Sequence, residues 1–195
     1  MNAEQQLKLF HFNHSLMHAE LDAVEKAHGI DLGRQPREGG STDQDQGYYL
    51  QFEVATRQQA ASMAHHYELF YCLENSIRQL VSTQLEAAEG ADWWNKAVPD
   101  QIKRDVSDNI KREQEAGVTL RSLDNIDYTT FGQLSNIIDT KWDVFADSLN
   151  NRKAAVRIMA VLNLLRAPIA HCSPLAADEV VRLKLALADW FRLME

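Results

Sequence analysis

Hydrophobic positions along this chain recur at steps of three and four, and no stretch shows the strict alternation of a strand. Leu7, Phe10, His14, Met17, Leu21, Val24 and His28 form the first such series, which "HGI" closes with a glycine. This spacing predicts an N-terminal helix over residues 1–30, with a seam suited to packing on another helix of this chain or of a second copy. Residues 31–47, "DLGRQPREGGSTDQDQG", carry almost no apolar side chain and read as a flexible Gly/Asp/Gln-rich loop or linker.

A second helical pattern starts near Tyr48 and runs towards Glu89, with Phe70, Leu73, Ile77, Leu80 or Val81, and Gln84 or Leu85 on one face. "GADWWNKAVP" breaks the period, and Trp93 and Trp94 read as core anchors. A charged amphipathic helix follows between Pro99 and Gly117, with Ile102, Val106 and Ile110 as its apolar edge. Phe131, Leu134, Ile137, Ile138, Trp142 and Phe145 make another helical series, and Asn150–Asn151 a break.

From Arg152 to Leu165 the chain is apolar nearly all round, the mark of a helix buried on most sides. Pro168 is expected to end or kink it close to Arg166, because proline removes a helical hydrogen bond and disfavours the helical region for Ala167. The last helix is expected to begin with Ser173 as N-cap and Pro174 at the first helical position, with Asp178 and Glu179 near its positive end. The fold class is therefore all-α: a helical bundle over residues 48–195, preceded by the N-terminal helix and its loop.

Composition narrows the function. A formal charge of −8 argues against coating nucleic acid by bulk electrostatics and leaves room for a local basic site. Between Ser148 and Ala177 there is no Asp or Glu, while Arg152, Lys153, Arg157 and Arg166 supply four positive charges. The two cysteines, Cys72 and Cys172, suggest neither a disulfide framework nor a zinc site. His11, His14 and His18 share a helix face, but with no carboxylate or cysteine in the pattern they read as a polar packing edge and no metal is expected. No apolar run is long enough to cross a bilayer and the N-terminus lacks a secretory plan, so a cytoplasmic protein is the expectation.

The candidate chemistry lies in "NLLRAPIAHCSP", Asn163 to Pro174. Arg166 offers a planar fork for a phosphate, His171 a proton near neutral pH, and the start of the final helix a set of unpaired N–H groups for an anion. Asn163, one turn before Arg166, and Ser173 are candidate substrate-binding groups, as are Glu74 and Arg78, one turn apart on the second helical stretch. The same residues also fit a bland account, in which a histidine caps carbonyls, an arginine meets a helix C-terminus, and Glu74 and Arg78 form a surface ion pair.

"LNLLRAPIAH" in the penultimate helix of an all-α chain, together with "LFYCLENSIRQLV", "WW", "DYTTFGQLSNIID.KW..F" and "SPLAADEVVRL", resembles the HEPN superfamily, the higher-eukaryote and prokaryote nucleotide-binding domains, in the branch also found in RNA-surveillance endonucleases. The resemblance covers roughly Tyr67 to Met194 and rests on Arg166 and His171 with four residues between, as in the family's hallmark. It implies a homodimer in which two copies of the motif face each other, and a metal-independent endoribonuclease with no cofactor. Such enzymes serve antiphage defence, toxin–antitoxin pairs or stress-related RNA cleavage, sometimes held by an antitoxin or other partner protein. By the resemblance, Arg166 and His171 are catalytic: the histidine moves the proton of the ribose 2′-hydroxyl and the arginine stabilises the phosphoryl oxygens. Active members commonly carry Asn, Asp or His directly after the arginine; here Ala167 stands there. The alternative is a non-catalytic HEPN module that binds nucleotide, RNA or a partner protein, and a third is a helical dimerisation domain that recruits a partner through the N-terminal seam.

Overall fold

The computed structural model describes residues 21, 24, 27–29 and 48–195. The chain divides into two compact units, Met1–Phe52 and Glu53–Glu195. In the first, Leu21, Val24, Ala27 and His28 are helical and Gly29 turns at φ 61°, where the glycine stop is expected. The other seam positions Leu7, Phe10, His14 and Met17, the histidines His11 and His18 of the predicted polar face, and the loop over 31–47 lie outside the described residues.

The second unit is built from seven α-helices: α1 (Val54–Glu89), α2 (Trp93–Ala97), α3 (Asp100–Glu115), α4 (Phe131–Thr140), α5 (Trp142–Phe145), α6 (Arg152–Ala170) and α7 (Ala177–Arg192). A short 3₁₀ helix, Asn125–Tyr128, leads into α4, and no strand occurs among the described residues. The architecture is all-α, and α6 is its axis: it packs against α1, α4 and α7.

Each contact follows from a stripe. On α1 the buried positions are Phe70, Leu73, Ile77, Val81 and Leu85, which resolves the two alternatives of the sequence in favour of Val81 and Leu85. Phe131 opens α4 and meets Phe70 edge-on, ring centroids 6.4 Å apart, so α1 and α4 are pinned by a fully buried aromatic pair. Ala155, Ile158, Met159, Leu162, Leu165 and Ile169 face inwards from α6, and Leu183, Ala186 and Trp190 from α7. Trp93 and Trp94 pack against this core from α2, as their pairing suggested.

Helix ends carry the local code. Thr130 and Gln133 form a capping box at α4, the threonine hydroxyl accepting from Gln133 N–H and the glutamine carbonyl from Thr130 N–H. Asn151 caps α6 by accepting from Ala154 N–H at 3.0 Å. The continuous period from Phe131 to Phe145 is broken at Lys141 (φ −106°, ψ 32°), giving α4 and α5 in place of one helix.

Two expectations about the end of α6 are corrected. Of an end or a kink close to Arg166, the end does not occur: the helix continues through Pro168 to Ala170. Proline removes the hydrogen bond to the Leu164 carbonyl, and Leu164 is 73% exposed, so water can satisfy that carbonyl. The helix then closes in a Schellman turn: Cys172 N–H donates to Ile169 O (3.4 Å) and Ser173 N–H to Pro168 O (2.8 Å), with Cys172 in the left-handed region at φ 56°.

Ser173 is accordingly no N-cap. Leu175, half-buried against the core, directs its N–H to Met63 Sδ at 3.4 Å, and this holds the linker extended. α7 begins only at Ala177, with Ala176 at the N-cap and no side-chain cap; Asp178 and Glu179 in the first turn meet its dipole.

Glycine is the residue most at ease where Cys172 stands. Cys172→Gly is expected to raise unfolding stability by about 1 kcal/mol, read as a higher urea midpoint with an unchanged slope. A lowered midpoint would contradict the left-handed turn.

Candidate active site

Arg166 lies on the flank of α6, between its buried face and solvent, where α6 runs beside α1. Its Nε donates to Glu74 Oε2 of α1 at 2.8 Å, and its Nη groups make no hydrogen bond to the described residues. Glu74 Oε1 accepts from Arg78 Nη2 at 2.5 Å, so one carboxylate, with 12% of its side chain exposed, sits between two guanidiniums. Arg78 also donates through Nε to Ile126 O (3.3 Å) and through Nη2 to Thr129 O (3.0 Å). The network therefore ties α6 to α1, and α1 to the 3₁₀ turn that feeds α4.

That geometry displaces the bland account of Glu74 and Arg78. An exposed i, i+4 pair contributes a few tenths of a kcal/mol, but this pair is mostly shielded and has partners on two further elements. Charge-assisted bonds in such surroundings are stronger and more directional than exposed ones.

Beside the network opens a cavity of about 420 Å³, lined by Glu74, Arg78 and Arg166 and also by Tyr67, Tyr71, Asn75, Arg121 and Asp127. Arg121 comes from the loop after α3. Its guanidinium lies over the Tyr128 ring, 4.9 Å from the centroid, and its Nε donates to Glu113 Oε1 at 2.6 Å. That hydrogen bond holds the Glu113 carboxyl below the usual carboxylate range. Three arginines and two carboxylates line the opening, and with Arg121 paired to Glu113 the charges are close to balanced, so what the site offers an anion is chiefly the Nη groups of Arg166 that make no hydrogen bond to the described residues.

His171 stands elsewhere. It is the C-cap of α6, exposed, and not part of the cavity lining. Five residues at 3.6 per turn set it about 140° around the axis from Arg166 and about 7.5 Å further along. It shares the outer face of α6 with Ala160, Leu164 and Ala167, all exposed. Asn163 is exposed on α6 with its amide near Gly132 at the start of α4, and Ser173 is exposed in the linker; neither lines the cavity. The helix N-terminus expected beside His171 is displaced along the chain by the later start of α7.

Thus Arg166, Glu74 and Arg78 come together, while His171, Asn163 and Ser173 remain apart from them within one chain. Tyr67, Tyr71, Asn75, Arg121 and Asp127 were missed by sequence reasoning. The signal for the first three was present: with Glu74 and Arg78 they fall within about 100° of one face of α1. Arg121 and Asp127 sit in an irregular segment that no periodicity orders. Among the described residues no group of three or more His, Cys, Asp or Glu is arranged to hold a metal, and no helix is long and apolar enough to cross a membrane.

Removing the shared carboxylate leaves Arg166 without its acceptor on α1 and the largely buried Arg78 with only the carbonyls of Ile126 and Thr129. Glu74→Ala is expected to lower unfolding stability by about 2 kcal/mol, seen as a reduced urea midpoint. Stability equal to that of the unaltered protein would show that the network holds nothing together.

Comparison with known proteins gives one positive result. Residues 68–195 match the family described as Swt1-like HEPN, a span that contains Glu74, Arg78, Arg166 and His171. No curated protein and no solved structure matches the chain. With about two thirds of its length in that match, and with the all-α bundle carrying the Arg–His pair on its penultimate helix, the chain belongs to the HEPN superfamily.

Proposed function

We propose that this protein is a metal-independent endoribonuclease that acts as a homodimer, serving antiphage defence, a toxin–antitoxin pair or stress-related RNA cleavage. The observation that carries the reading is the split of the motif across α6. Arg166 is held at an arginine-lined cavity by Glu74, while His171 lies on an outer face with exposed Leu164, Ala160 and Ala167. One chain presents the anion-binding half of a phosphoryl-transfer site and, on a different side of the same helix, the proton-transfer half. A two-fold pairing whose interface takes in both the outer face of α6 and the flank that carries Arg166 supplies what one copy lacks, because an isologous interface can set His171 of each copy against Arg166 of the other and doubles every group on it.

The chemistry needs both parts. His171 accepts the proton of a ribose 2′-hydroxyl as O2′ attacks the adjacent phosphorus. The O2′–P bond forms and the P–O5′ bond breaks, leaving a 2′,3′-cyclic phosphate. The departing O5′ takes its proton from the His171 of the second copy, so neither histidine must be acid and base at once. Arg166, with Nε fixed by Glu74, offers its Nη groups to the charge that grows on the non-bridging oxygens. Fixing Nε in advance removes a reorganisation cost from the reacting complex.

A second reading draws on Ala167, which gives the outer face no polar group beside the arginine. In that reading the cavity binds RNA or nucleotide without cutting it.

The test is cleavage of RNA by the purified full chain in EDTA, with His171→Ala beside it and product ends analysed. Cyclic phosphate ends and a loss of at least about 100-fold in the variant, with an unchanged circular-dichroism spectrum, are the expected result. Undiminished cleavage by a folded His171→Ala protein would overturn the assignment; RNA bound but uncut by both proteins would favour the binding module.

A further inference from the structure

On α1, one turn outside the arginine network, Tyr67 and Tyr71 stand side by side at the rim of the cavity. They are 60% and 61% exposed, with ring centroids 6.2 Å apart and planes inclined by 37°. Large aromatic side chains on a bundle's surface contribute nothing to its core, and these two are not among the residues packed against it. Tyr71 is held in place through its backbone, whose carbonyl accepts from Asn75 Nδ2 at 2.7 Å within the helix.

The next residues on the same face are Glu74 and Arg78. From Tyr71 to Arg78 the helix rises about 10 Å. One continuous face thus offers two aromatic surfaces and then, towards the C-terminal end of α1, the guanidiniums of Arg78 and Arg166 around a carboxylate they share. Aromatic rings beside guanidiniums that can reach a phosphate are a pairing by which proteins take hold of single strands. Every base has a π-face to stack, and every linkage carries a phosphate for a guanidinium. A duplex buries its base faces and cannot use the rings.

Resting on the endoribonuclease reading, we infer that Tyr67 and Tyr71 form a base-stacking platform that selects single-stranded RNA and sets its phosphate against Arg166. The site so defined takes an unpaired nucleobase next to the phosphodiester held at the cavity. The substrate class is then single-stranded or looped RNA, and the tyrosines determine that preference without touching the reacting atoms.

The experiment measures binding, apart from cleavage, with the full chain carrying His171→Ala. The probes are a fluorescein-labelled single-stranded oligoribonucleotide, its duplex, and an abasic strand of the same length. Anisotropy titrations compare this protein with versions that also carry Tyr67→Ala and Tyr71→Ala, or Tyr67→Phe and Tyr71→Phe. The platform requires the base-bearing single strand to bind more tightly than the duplex or the abasic strand. It also requires the alanine pair to weaken that binding by on the order of tenfold or more, with abasic binding unchanged, and the phenylalanine pair to restore it. Both rings are largely exposed, so the melting temperature should not move.

Equal affinity of the alanine pair and its parent overturns the platform and leaves the endoribonuclease reading standing, since that reading rests on His171-dependent cleavage. An alanine pair that changes the sedimentation coefficient in place of strand affinity also overturns it, and assigns the rings to a protein interface. Failure of the parent to bind any strand also overturns the platform, and the endoribonuclease reading is then judged separately, by cleavage with the unaltered protein.

Discussion

The carboxylate of Glu74, held between Arg166 and Arg78, is the interaction on which the site depends. Through Arg166 it fixes the position of α6 against α1; through Arg78 it reaches the carbonyls of Ile126 and Thr129 and so the entry to α4. Apolar stripes decide that these helices pack, but stripes are tolerant of small slides along an axis. A carboxylate with a guanidinium on each oxygen is far less tolerant of them, because charge-assisted hydrogen bonds fall off steeply with distance and angle. The core provides the cohesion and Glu74 the registration, which leaves Arg166 fixed at an arginine-lined cavity.

Helix α6 presents three surfaces. Its inner one, from Ala155 to Ile169, is core; its flank carries Arg166; its outer one carries Leu164, Ala167 and His171. The helical repeat forbids residues five apart from sharing a direction, so the Arg and His of the motif diverge in a single chain. That divergence is the reason for proposing a second copy. In one copy the two motif residues stand on different sides of a rod, and Leu164, 73% exposed and two turns before His171 on the same face, is the apolar contact that the proposed second copy would cover.

Much of this was legible in the sequence, and the exceptions have physical causes. Stripes such as Phe70–Leu73–Ile77 and Leu183–Trp190 appear because burial imposes the helical period directly. Arg166 and His171 were visible as a motif, and Glu74 with Arg78 as neighbours one turn apart. What that spacing could not reveal was that Arg166, distant in sequence, would share the same carboxylate. The end of α6 was misread because proline at Pro168 costs little so near a helix terminus, and because the left-handed turn that follows uses Cys172 where glycine is the usual sign. The Ser-Pro pair then resembled a helix start, but Ser173 N–H is taken by the turn and Leu175 holds the linker against the core, so α7 begins later. Arg121 reaches the cavity from a loop whose path is set by Glu113 and Tyr128, contacts that no local pattern encodes.

The proposed dimer completes the site only when two copies meet over the outer face of α6. Leu164→Arg places charge on that face while leaving the core and the Glu74 network untouched. Sedimentation velocity and RNA cleavage would be measured on the same sample, with circular dichroism to verify the fold. A dimer in the unaltered protein and a folded, inactive monomer in the variant are the expected result. A monomeric Leu164→Arg protein that cuts RNA as fast as its parent would show that one chain holds the whole site, and would contradict the proposed dimer.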